Sequence, residues 1–517
     1  MELTWELIMF RLKNYNINLM VKLRFIGLLY LIIIFFSCNN NNHNKNYFSN
    51  KKIKNQPNIL FILLDDLGKE WVSGYDADDI ETPNIDSLLN GGMQFTNVWS
   101  MPQCTPSRVT LMTGQYPFRH GWVNHYDVPR WGHGVNFDSN KNPSLARILK
   151  KAGYKTCIAG KWQINDFRLQ PESMTEHGFD DYCMWTGGEG GNIKKSEKRY
   201  WDPYIHTKQG SKTYHGKFGE DIFSDFIIDF MEKNKQNPMF LYYPMCLPHG
   251  PLTTTPSEPD LNNKIDKHKA MVRYTDIILN KLVSALEKLK IRDNTIIFWT
   301  TDNGTAGSIT GQINGRKIKG GKTYLTQNGV NEPFIVNWPG IISPGTKTNA
   351  LIDFSDILPT FADLGGADLP KKYKYDGKSF KDLLIGKKNN SDRSWILTMG
   401  SHPAKIIDGK VNNVHIFRDR ALRDKRYKVF IDTLKKISHV YDLKNDKYEI
   451  NNLIYSKSEE VRQVLDKFKV IIESLPPRDA QPKYSKLTNS KYDIYPEQLN
   501  RQAEKRRDVS NHSPSLN

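Results

Sequence analysis

Acidic and amide side chains follow two apolar runs of strand length in this chain of 517 residues. Asp65 and Asp66 come directly after the run Asn58–Leu64, and Asp302 and Asn303 follow a second run. Open α/β sheets bind ligands beyond the carboxyl ends of their strands, and such oxygen ligands suit a hard cation. Each pair alone is typical of a helix N-cap or a turn. Their coincidence at two strand ends makes a cation site an equal alternative to those structural roles.

A cysteine lies in the segment Pro102-Gln-Cys-Thr-Pro-Ser-Arg-Val-Thr-Leu-Met-Thr-Gly114. In this segment a proline follows the cysteine by two residues, an arginine follows by two more, and Leu-Met-Thr-Gly comes after them. This pattern resembles the signature of the type I sulfatases, in the alkaline-phosphatase superfamily. In that family the cysteine is oxidised after translation by a formylglycine-generating enzyme, and the resulting aldehyde hydrates to a geminal diol. The resemblance implies that Cys104 is the precursor of a formylglycine nucleophile, and it outweighs a buried cysteine in a proline-containing turn.

The resemblance extends over most of Pro57–Leu453. Its further motifs follow in the family's order: Asn58-Ile-Leu-Phe-Ile-Leu-Leu-Asp65-Asp66, Gly160-Lys161-Trp162, Pro248-His249-Gly-Pro251, Asp302-Asn303-Gly304, Gly320-Gly321-Lys322 and Glu332-Pro333-Phe-Ile-Val-Asn-Trp-Pro-Gly340. It implies that Asp65, Asp66, Asp302 and Asn303 hold a divalent cation, Ca²⁺ with Mg²⁺ as the alternative, and that the modified Cys104 completes the shell. One diol hydroxyl would attack sulfur, and the second would later expel sulfate and restore the aldehyde.

The remaining catalytic assignments also follow from the resemblance. Arg108 would hold the modified cysteine side chain, because a guanidinium offers donors in a rigid fork. Lys161 and Lys322 would contact sulfate oxygens, and His249 would protonate or hydrogen-bond to the leaving oxygen. Without the family context, the two lysines would be interpreted as solvated surface charges and His249 as a loop histidine.

The chain departs from the commoner family pattern at Gln163, where Gly-Lys-Trp usually continues with a histidine that assists the hydrated aldehyde. An amide orients a diol by hydrogen bonds but is no base at neutral pH, so Gln163 is assigned only to substrate binding. Sulfate release then relies on another group, or the enzyme is slow, or the chain is a binding relic. His120 and His125 are candidate substitute bases, but no spacing selects either, and a structural role for both is the alternative. Because the nucleophile and all metal positions are present, an active enzyme is the preferred interpretation.

Three other functions compete with a sulfatase, a sulfuric ester hydrolase. A phosphatase or phosphonate monoester hydrolase of the same superfamily is the first, although alkaline-phosphatase-type enzymes would use Ser or Thr as nucleophile and more His and Asp ligands for zinc. A non-catalytic lipoprotein that binds sulfated glycans is the second, and it would need no modification of Cys104. A nucleic-acid partner is not expected, because no recognisable module occurs and the basic residues are dispersed.

Basic residues outnumber acidic ones by 73 to 56, which gives a net charge of +17. This excess favours anionic partners, and with the resemblance it favours a sulfated polysaccharide or oligosaccharide over a small aryl sulfate. A composition of 38% hydrophobic and 25% charged residues excludes fibrous and disordered chains. Cys157, Cys183 and Cys246, the cysteines besides Cys38 and Cys104, are too few for a disulfide scaffold, and whether two of them pair is left open.

Alternating strands and helices must position these residues. Strands are predicted at Asn58–Leu64, Thr156–Ala159, Met239–Tyr243, Thr295–Thr300 and Pro333–Asn337, and helices at Pro143–Lys151, Asp221–Lys233 and Lys267–Leu289. The alternation predicts an α/β fold with a large, mostly parallel central sheet flanked by helices, and the resemblance implies an alkaline-phosphatase-like sandwich. Shorter runs at Tyr427–Ile431 and His439–Leu443, with a helix near Ser458–Leu475, predict a smaller C-terminal α+β subdomain with a short antiparallel sheet. The expected ranges are 57–385 for the catalytic domain, 386–475 for this subdomain and 476–517 for a basic tail that wraps on the body or is disordered.

The N-terminal region is typical of an export signal. Phe25–Phe36 is an apolar run of 12 residues, too short to span a bilayer as a helix but suited to a signal peptide. A small residue before Cys38 resembles a bacterial lipoprotein signal. We therefore predict a signal peptide at 1–37 with Met20 as a second candidate start, lipidation of Cys38, a flexible tether at 38–56, and a protein exported to the outer membrane, periplasm or cell surface. An uncleaved anchor or a buried strand is the alternative.

Overall fold

A computed structural model describes the chain over residues 56–124, 136–167, 169–186, 199–401, 405–407, 410–412 and 416–485. The predicted signal, Cys38, nearly all of the tether and the tail beyond 485 lie outside these ranges. Among the described residues, no helix combines the length and the apolar character that crossing a membrane requires. The four cysteines of the described part are buried and none forms a disulfide.

Twenty strands form one large sheet, one smaller sheet and three two-stranded pairings in the described part of the chain. The strands are β1 (Asn58–Leu64), β2 (Met93–Trp99), β3 (Asn136–Phe137), β4 (Lys155–Lys161), β5 (Asp181–Trp185), β6 (Tyr204–Thr207), β7 (Gly210–Thr213), β8 (Met239–Pro244), β9 (Thr295–Thr301), β10 (Thr310–Ile313), β11 (Arg316–Lys319), β12 (Phe334–Asn337), β13 (Thr346–Asp353), β14 (Ile396–Met399), β15 (Lys405–Ile407), β16 (Lys410–Asn412), β17 (Arg420–Arg423), β18 (Tyr427–Ile431), β19 (Ile437–Asp442) and β20 (Tyr484–Ser485).

Helices flank these strands. The α-helices are α1 (Pro83–Asn90), α2 (Cys104–Thr113), α3 (Pro117–His120), α4 (Leu145–Lys151), α5 (Ser173–His177), α6 (Gly219–Asn234), α7 (Lys264–Lys288), α8 (Gln327–Val330), α9 (Ile357–Leu364), α10 (Lys381–Leu384) and α11 (Glu459–Ser474). Short 3₁₀ turns cover Lys69–Trp71, Ser73–Tyr75, Arg292–Asn294 and Phe354–Asp356.

The large sheet has ten strands in the order β13-β2-β12-β9-β1-β8-β4-β5-β6-β7. Its centre is parallel, because β1 pairs in parallel with both β8 and β9, and β4 with both β8 and β5. Only β12 and β6 run against their neighbours' common direction in this sheet. This architecture confirms the predicted α/β fold with a mostly parallel sheet.

Apolar side chains on both faces of β1 explain why its sequence reads as a continuous hydrophobic run. Ile59, Phe61 and Leu63 join the core on one face, whereas Leu60, Ile62 and Leu64 join the core on the other, and all are fully buried. Strands covered by helices on both sides need apolar residues at every position. The parallel register aligns Leu64 with Thr301, so the polar residues that follow β1 and β9 emerge side by side.

A four-stranded antiparallel sheet, β14-β17-β18-β19, forms the predicted C-terminal subdomain together with α11. Its core includes Met101, Tyr116 and Phe118, which flank helix α2, so the small sheet packs against the segment that carries Cys104. The first part of the predicted tail folds back on the body. Tyr484–Ser485 pairs with Asn136–Phe137, and Arg420 donates two hydrogen bonds to Asp479.

Candidate active site

Helix α2 carries the cysteine motif and starts at Cys104. The residue before it, Gln103, is extended with φ −148° and ψ 155°, and all ten residues of the helix are buried. The helix ends at Gly114, whose φ of 65° is the left-handed conformation that glycine adopts without strain. The start of the helix, where the first backbone N–H groups have no partner within the helix and the helix dipole is positive, therefore lies at Cys104. The motif is thus helical, and it presents its cysteine at the end of a helix that favours negative charge.

The carboxylates predicted as cation ligands meet Cys104 at the edge of the large sheet. Ligand atoms of Asp65, Cys104 and Asp302 all lie within 4.8 Å of one another, and so do those of Asp65, Asp66 and His249. The Asp302 backbone N–H donates to the Leu64 carbonyl at 3.0 Å, which fixes the two strand ends together.

Arg108 lies one helical turn after Cys104 and faces the same cluster. Its Nε and Nη2 donate to Asp302 Oδ2 at 3.0 and 2.7 Å, and its Nη1 donates to the Lys161 carbonyl at 2.8 Å. The guanidinium is fully buried. These contacts join helix α2 to the ends of β9 and β4, so Arg108 holds the carboxylates and Lys161 in place around the cysteine.

Two lysines and a histidine surround the carboxylates. Lys161 Nζ lies 2.5 Å from Asp65 Oδ2, and Lys322 Nζ lies 2.7 Å from Asp66 Oδ2 and 3.2 Å from His249 Nε2. The nearest other lysines in the sequence, at positions 317 and 319, are exposed on β11. The structure therefore brings Lys322 to the site and leaves those two outside it.

The charges of the cluster shift its pKa values in opposite directions. Burial would raise the pKa of Asp65, but the surrounding cations, Lys161 foremost, hold it well below its usual value. Burial and the neighbouring Asp65 charge raise the pKa of Asp302 to about 7. Burial and the Lys322 charge lower the pKa of His249 well below its usual value, so this imidazole is neutral.

Two buried oxygens in the cluster fit a cation. Asp65 Oδ1 and Asn303 Oδ1 have no hydrogen-bond partner among the residues that the structure describes, although Asn303 Nδ2 donates to Asp66 Oδ1 at 2.7 Å. Buried oxygens without donors are rare, and carboxylate and amide oxygens are the ligands that Ca²⁺ and Mg²⁺ prefer. The residues present therefore match the predicted site for a hard divalent cation.

Three non-glycine residues at or beside the cluster have a left-handed backbone conformation. Asp66, Gln163 and Thr323 have positive φ values of 67°, 67° and 80°, and a β-branched residue rarely adopts this conformation. At Gly160, with φ 116°, a Cβ would lie 2.1 Å from the Pro244 carbonyl oxygen, so only glycine fits before Lys161. Gln163 is buried, and its Oε1 has no hydrogen-bond partner.

Sequence reasoning missed Arg199, which contacts the histidine of the site. Its Nη1 lies 3.0 Å from His249 Nδ1, and its guanidinium lies 4.0 Å above the Trp185 ring. His249 Nδ1 also lies 2.6 Å from the Gly250 carbonyl, which only accepts, and Nε2 lies 3.2 Å from Lys322 Nζ, which only donates, so these two contacts favour a proton on Nδ1. The Arg199 contact favours the other tautomer, because a guanidinium only donates. With Arg199 as donor, Nε2 carries the proton. No motif marks Arg199, since it reaches the site only through the fold.

Glu220 was also missed, and it supports the loop that carries His249. Its Oε1 accepts from the backbone N–H groups of Cys246 and Leu247 at 2.7 and 3.2 Å, and its Oε2 accepts from the Tyr243 hydroxyl at 2.5 Å. Glu220 is fully buried, and burial raises its pKa to about 7. At the start of helix α6 it looks in the sequence like an ordinary first-turn acid.

Of the two histidines considered as substitute bases, His120 lies in the described part of the chain. His120 is fully buried, its Nδ1 accepts from the Trp122 backbone N–H at 3.0 Å, and its Nε2 lies 3.1 Å from the Thr110 hydroxyl. Burial lowers its pKa to about 3, so His120 has a structural environment. His125 lies outside the described residues.

Family comparisons match the chain along most of its described length. The Sulfatase family matches residues 57–367, and the family "N-sulphoglucosamine sulphohydrolase, C-terminal" matches residues 321–475. The first match covers the cysteine helix and all the acidic residues of the site. The second covers the antiparallel sheet and helix α11.

Three known proteins give the range of similarity. An arylsulfatase of Hemicentrotus pulcherrimus is 30% identical over 351 residues, which cover 64% of this chain and 62% of that protein. The chain thus spans less than two thirds of that relative's length. An ulvan-active sulfatase of Formosa agariphila is 28% identical over 447 residues, covering 78% of this chain and 76% of that protein. The crystal structure of Ps i-CgsB superposes with a TM-score of 0.70 at 25% identity, covering 89% of this chain and 100% of that one, and the same protein has been solved in complex with a neocarrahexaose.

Proposed function

The chain belongs to the sulfatase family, and from this premise we propose that it hydrolyses sulfate esters of a sulfated polysaccharide or oligosaccharide through a formylglycine made from Cys104. The observation that carries the proposal is the position of Cys104. It begins a buried helix, its ligand atom lies within 4.8 Å of those of Asp65 and Asp302, and Lys161, Lys322 and His249 surround the same carboxylates.

The proposed cofactors fit the residues around Cys104. A formylglycine-generating enzyme would convert Cys104 to the aldehyde, whose hydrated form supplies the attacking hydroxyl. Asp65, Asp66, Asp302 and Asn303 would hold Ca²⁺, with Mg²⁺ as the alternative, and the ion would offset negative charge of the ester. Arg108 keeps Asp302 and the Lys161 strand fixed against the cysteine helix during the reaction.

Four side chains are proposed to bind the sulfate group, donate the proton and orient the reacting groups. Lys161 and Lys322 bring positive charge to the sulfate oxygens, which reduces repulsion between the anionic ester and an incoming oxygen nucleophile. His249 holds a proton on Nε2 when Arg199 donates to Nδ1, and that proton is available to the leaving alcohol oxygen. Gln163 orients groups at the site by hydrogen bonds without taking a proton. The net reaction converts the ester and water into an alcohol and sulfate.

A sulfated glycan is the proposed substrate class for two reasons. The chain has a net charge of +17, which favours a polyanion over a small ester. Two similar proteins also point to glycans, one named as ulvan-active and one solved with a neocarrahexaose. The substrate experiment is designed to identify the sulfated sugar, the position of the ester and whether the action is exo or endo.

That experiment measures sulfate release from a panel of sulfated oligosaccharides, with phosphate monoesters of matched alcohols beside them. The enzyme is co-expressed with a formylglycine-generating enzyme, and peptide mass spectrometry reports the mass of residue 104. We expect sulfate release that Cys104→Ala lowers at least about 10³-fold, since it removes the nucleophile. The matched control Cys157→Ala changes a buried cysteine of β4 and should keep the activity.

Each alternative function has its own result in this experiment. Faster cleavage of the phosphate monoesters would favour the phosphatase or phosphonate monoester hydrolase. Glycan binding with no sulfate release and an unmodified Cys104 would favour a non-catalytic lipoprotein.

We further propose that the protein is exported as a lipoprotein anchored through Cys38. The support is the sequence alone: an apolar run, a small residue and then a cysteine. Labelling with a fatty-acid analogue in a bacterial host tests this, and Cys38→Ala should lose both the label and the membrane fraction. Equal labelling of that variant would contradict the anchor.

A further inference from the structure

A second cavity, of about 390 Å³, lies next to the active site but does not include its catalytic side chains. Its walls come from the turn after β1, the β10–β11 hairpin, strand β2 and the loop after β19. Six basic side chains line it: Lys69, Arg316, Lys319, Lys347, Arg423 and Lys447. A volume near 400 Å³ lies at the lower end of the range for small-ligand sites in proteins.

Positive charge in this cavity is not balanced by its own acids. None of the six basic residues forms an ion pair within 4 Å with a carboxylate of the described chain; the carboxylates that line the cavity are Glu70, Asp76 and Glu449. Glu449 already pairs with Lys428 at 2.5 Å, and Glu70 accepts from the Thr305 hydroxyl at 2.6 Å. Burial raises the pKa of Glu70 to about 7 and lowers the pKa of Lys69 to about 7, so the charges of both groups are partial at neutral pH. Five basic side chains remain beside them. The cavity therefore carries an excess of cations.

The inner wall of the cavity contains Arg423, the most deeply buried of these cations. Arg423 is 3% exposed, and within the described part of the chain its guanidinium donates only to neutral oxygens, Asn97 Oδ1 and the Asp424 and Lys425 carbonyls. Lys69 Nζ donates to the Thr96 carbonyl at 3.0 Å. Gln327 Nε2 is buried in the same wall without a hydrogen-bond partner. A buried cation without an anion is costly, so this wall favours a negatively charged ligand.

Aromatic and apolar groups form the other walls. The Arg316 guanidinium lies 4.0 Å from the Tyr448 ring centroid, and Tyr75 and Ile318 complete the apolar side. Sugar rings present C–H faces that pack on aromatic side chains, and sulfate groups pair with Arg and Lys. Aromatic and apolar side chains beside cations that have no carboxylate partner in the described chain therefore fit a sulfated sugar better than a small inorganic anion.

The cavity is connected to the active site through two chain segments. Gly68 and Lys69 are the second and third residues after Asp66, and Lys319 and Gln327 flank Lys322 in sequence. Thr305 links the two segments, because its hydroxyl accepts from the Gly68 N–H and donates to Glu70, while its carbonyl accepts from the Lys322 N–H. A polymer held in this cavity would lie close to the segment that carries Lys322.

We propose that this cavity is an accessory site that binds a sulfated sugar residue of the same polymer whose ester is hydrolysed at Cys104. The link to hydrolysis rests on the proposed function, whereas the binding itself does not. Arg423 and Lys69 form the inner anion contacts, and Arg316 and Lys447 lie at the more open side.

Calorimetric titration of the Cys104→Ala protein with persulfated maltohexaose tests the binding. We expect the added double substitution Arg316→Gln/Lys447→Gln to weaken binding about tenfold, because two charge-assisted contacts are lost. Lys69→Met, at the inner wall, is a second variant with the same expected direction. The control Lys235→Met/Lys288→Gln removes two exposed charges, one just after helix α6 and one at the end of helix α7. Its affinity for persulfated maltohexaose should stay within about twofold of that of the parent protein.

Two comparison probes separate a sugar site from an anion site. Unsulfated maltohexaose should not bind, and inorganic sulfate should bind far more weakly than the persulfated sugar. Equal affinity of the cavity variants and the parent for persulfated maltohexaose would overturn the proposal, and so would inorganic sulfate binding as tightly as the sugar.

Kinetics then test the connection to hydrolysis. In the active enzyme, Arg316→Gln/Lys447→Gln should raise KM for a sulfated polymer about tenfold and leave kcat/KM for a small sulfate ester unchanged. An equal loss on both substrates would contradict an accessory site. If the parent released sulfate from no glycan, the proposed function would fail, and the titration would still decide whether the cavity binds sulfated sugars.

Discussion

Two buried charge clusters in this protein use the same residue types but differ in how completely they are satisfied. One is the active-site cluster around Asp65, Asp302 and Arg108. The other, here called the Arg393 cluster, consists of Tyr116, Asp353, Ser355, Asp356 and Arg393. Both place two aspartates and an arginine almost out of contact with water. The two clusters therefore allow a structural and a functional use of the same chemistry to be compared.

Every charged group of the Arg393 cluster has partners within the protein. Arg393 Nε donates to both Asp356 oxygens at 2.9 and 2.8 Å, and Nη1 donates to the Tyr116 hydroxyl at 3.2 Å. The Tyr116 hydroxyl donates to Asp353 Oδ2, and Asp353 Oδ1 accepts from the Ser355 N–H at 2.9 Å. In the active-site cluster, Asp65 Oδ1 and Asn303 Oδ1 have no hydrogen-bond partner. A complete cluster needs no ligand, whereas an incomplete one gains stability by binding a ligand.

The largest effect should come from breaking the complete cluster. Arg393→Met leaves the Asp353 and Asp356 charges buried without their cation, and we expect the free energy of unfolding to fall by about 3–5 kcal/mol. Denaturant unfolding measures this, and added Ca²⁺ should not restore the loss. The exposed Lys388, which pairs with Asp392, offers a matched control: Lys388→Met should leave the free energy of unfolding nearly unchanged. An equal cost for both variants would remove the distinction between the clusters.

The incomplete cluster should respond to metal ions. At a Ca²⁺ concentration about 100 times Kd, binding to the folded protein adds about 2.7 kcal/mol to its stability. We expect chelation to lower Tm, Ca²⁺ to restore it, and Asp65→Asn to abolish the response, because the substitution removes a charge and keeps the shape. Thermal unfolding with Ca²⁺ and Mg²⁺ in parallel also identifies the preferred ion. An unchanged Tm in the parent protein would show that the two orphan oxygens are not cation ligands.

Most of the fold was predictable because it depends on local patterns. The run at β1 and the helical patterns at α6, α7 and α11 lie within a few residues of their predicted bounds, since burial on two faces and helical periodicity are visible in the sequence. Strands β2 and β13 were missed: their exposed or polar positions lie near the edge of the sheet, where pairing and not composition selects the conformation. Helix α2 was missed as a helix, because proline and three threonines obscure the pattern.

The site was predictable as far as motifs reach. The ligand, cysteine, lysine and histidine positions all carry sequence motifs, and the structure brings them together. Arg199, Glu220 and the Arg393 cluster carry none. Arg199 lies 50 residues from His249, Glu220 lies 26 from Cys246, and Arg393 lies 277 from Tyr116, so only the folded topology shows that these residues meet.

Glu220 is a third case for this comparison, because this buried carboxyl group accepts three hydrogen bonds and none of the donors described for it is a cation. Its pKa of about 7 lies above the ordinary value of 4.5, so the folded protein keeps this proton to higher pH than the unfolded chain. Protonation of Glu220 therefore stabilises the folded protein, and this stabilisation is complete below pH 4.5. Between pH 4.5 and about 7 it is lost, and the free energy of unfolding falls by about 1.4 kcal/mol per pH unit. The Glu220→Gln protein should lack this slope. Urea unfolding of both proteins from pH 5 to 8 measures the difference, and parallel curves would contradict a protonated Glu220.

The smallest effect on the protein is expected from a substitution at Gln163. Its buried oxygen has no hydrogen-bond partner among the described residues, but it is not a proposed cation ligand. Its Oε1 has no partner, and its φ of 67° is a conformation that histidine tolerates better than most residues. Gln163→His would add a group that accepts a proton near neutral pH, and we expect kcat to rise about two- to tenfold with little change in KM. Steady-state sulfate release between pH 6 and 8 measures this, with Gln163→Asn as the control that adds no base. If Gln163→His lowered kcat to the level of Gln163→Asn, proton transfer at this position would not limit turnover, and the amide would be needed for its hydrogen bonds. The active-site cluster would then contain orphan atoms of two kinds, with the Asp65 and Asn303 oxygens reserved for a cation and the Gln163 oxygen for the substrate or the nucleophile.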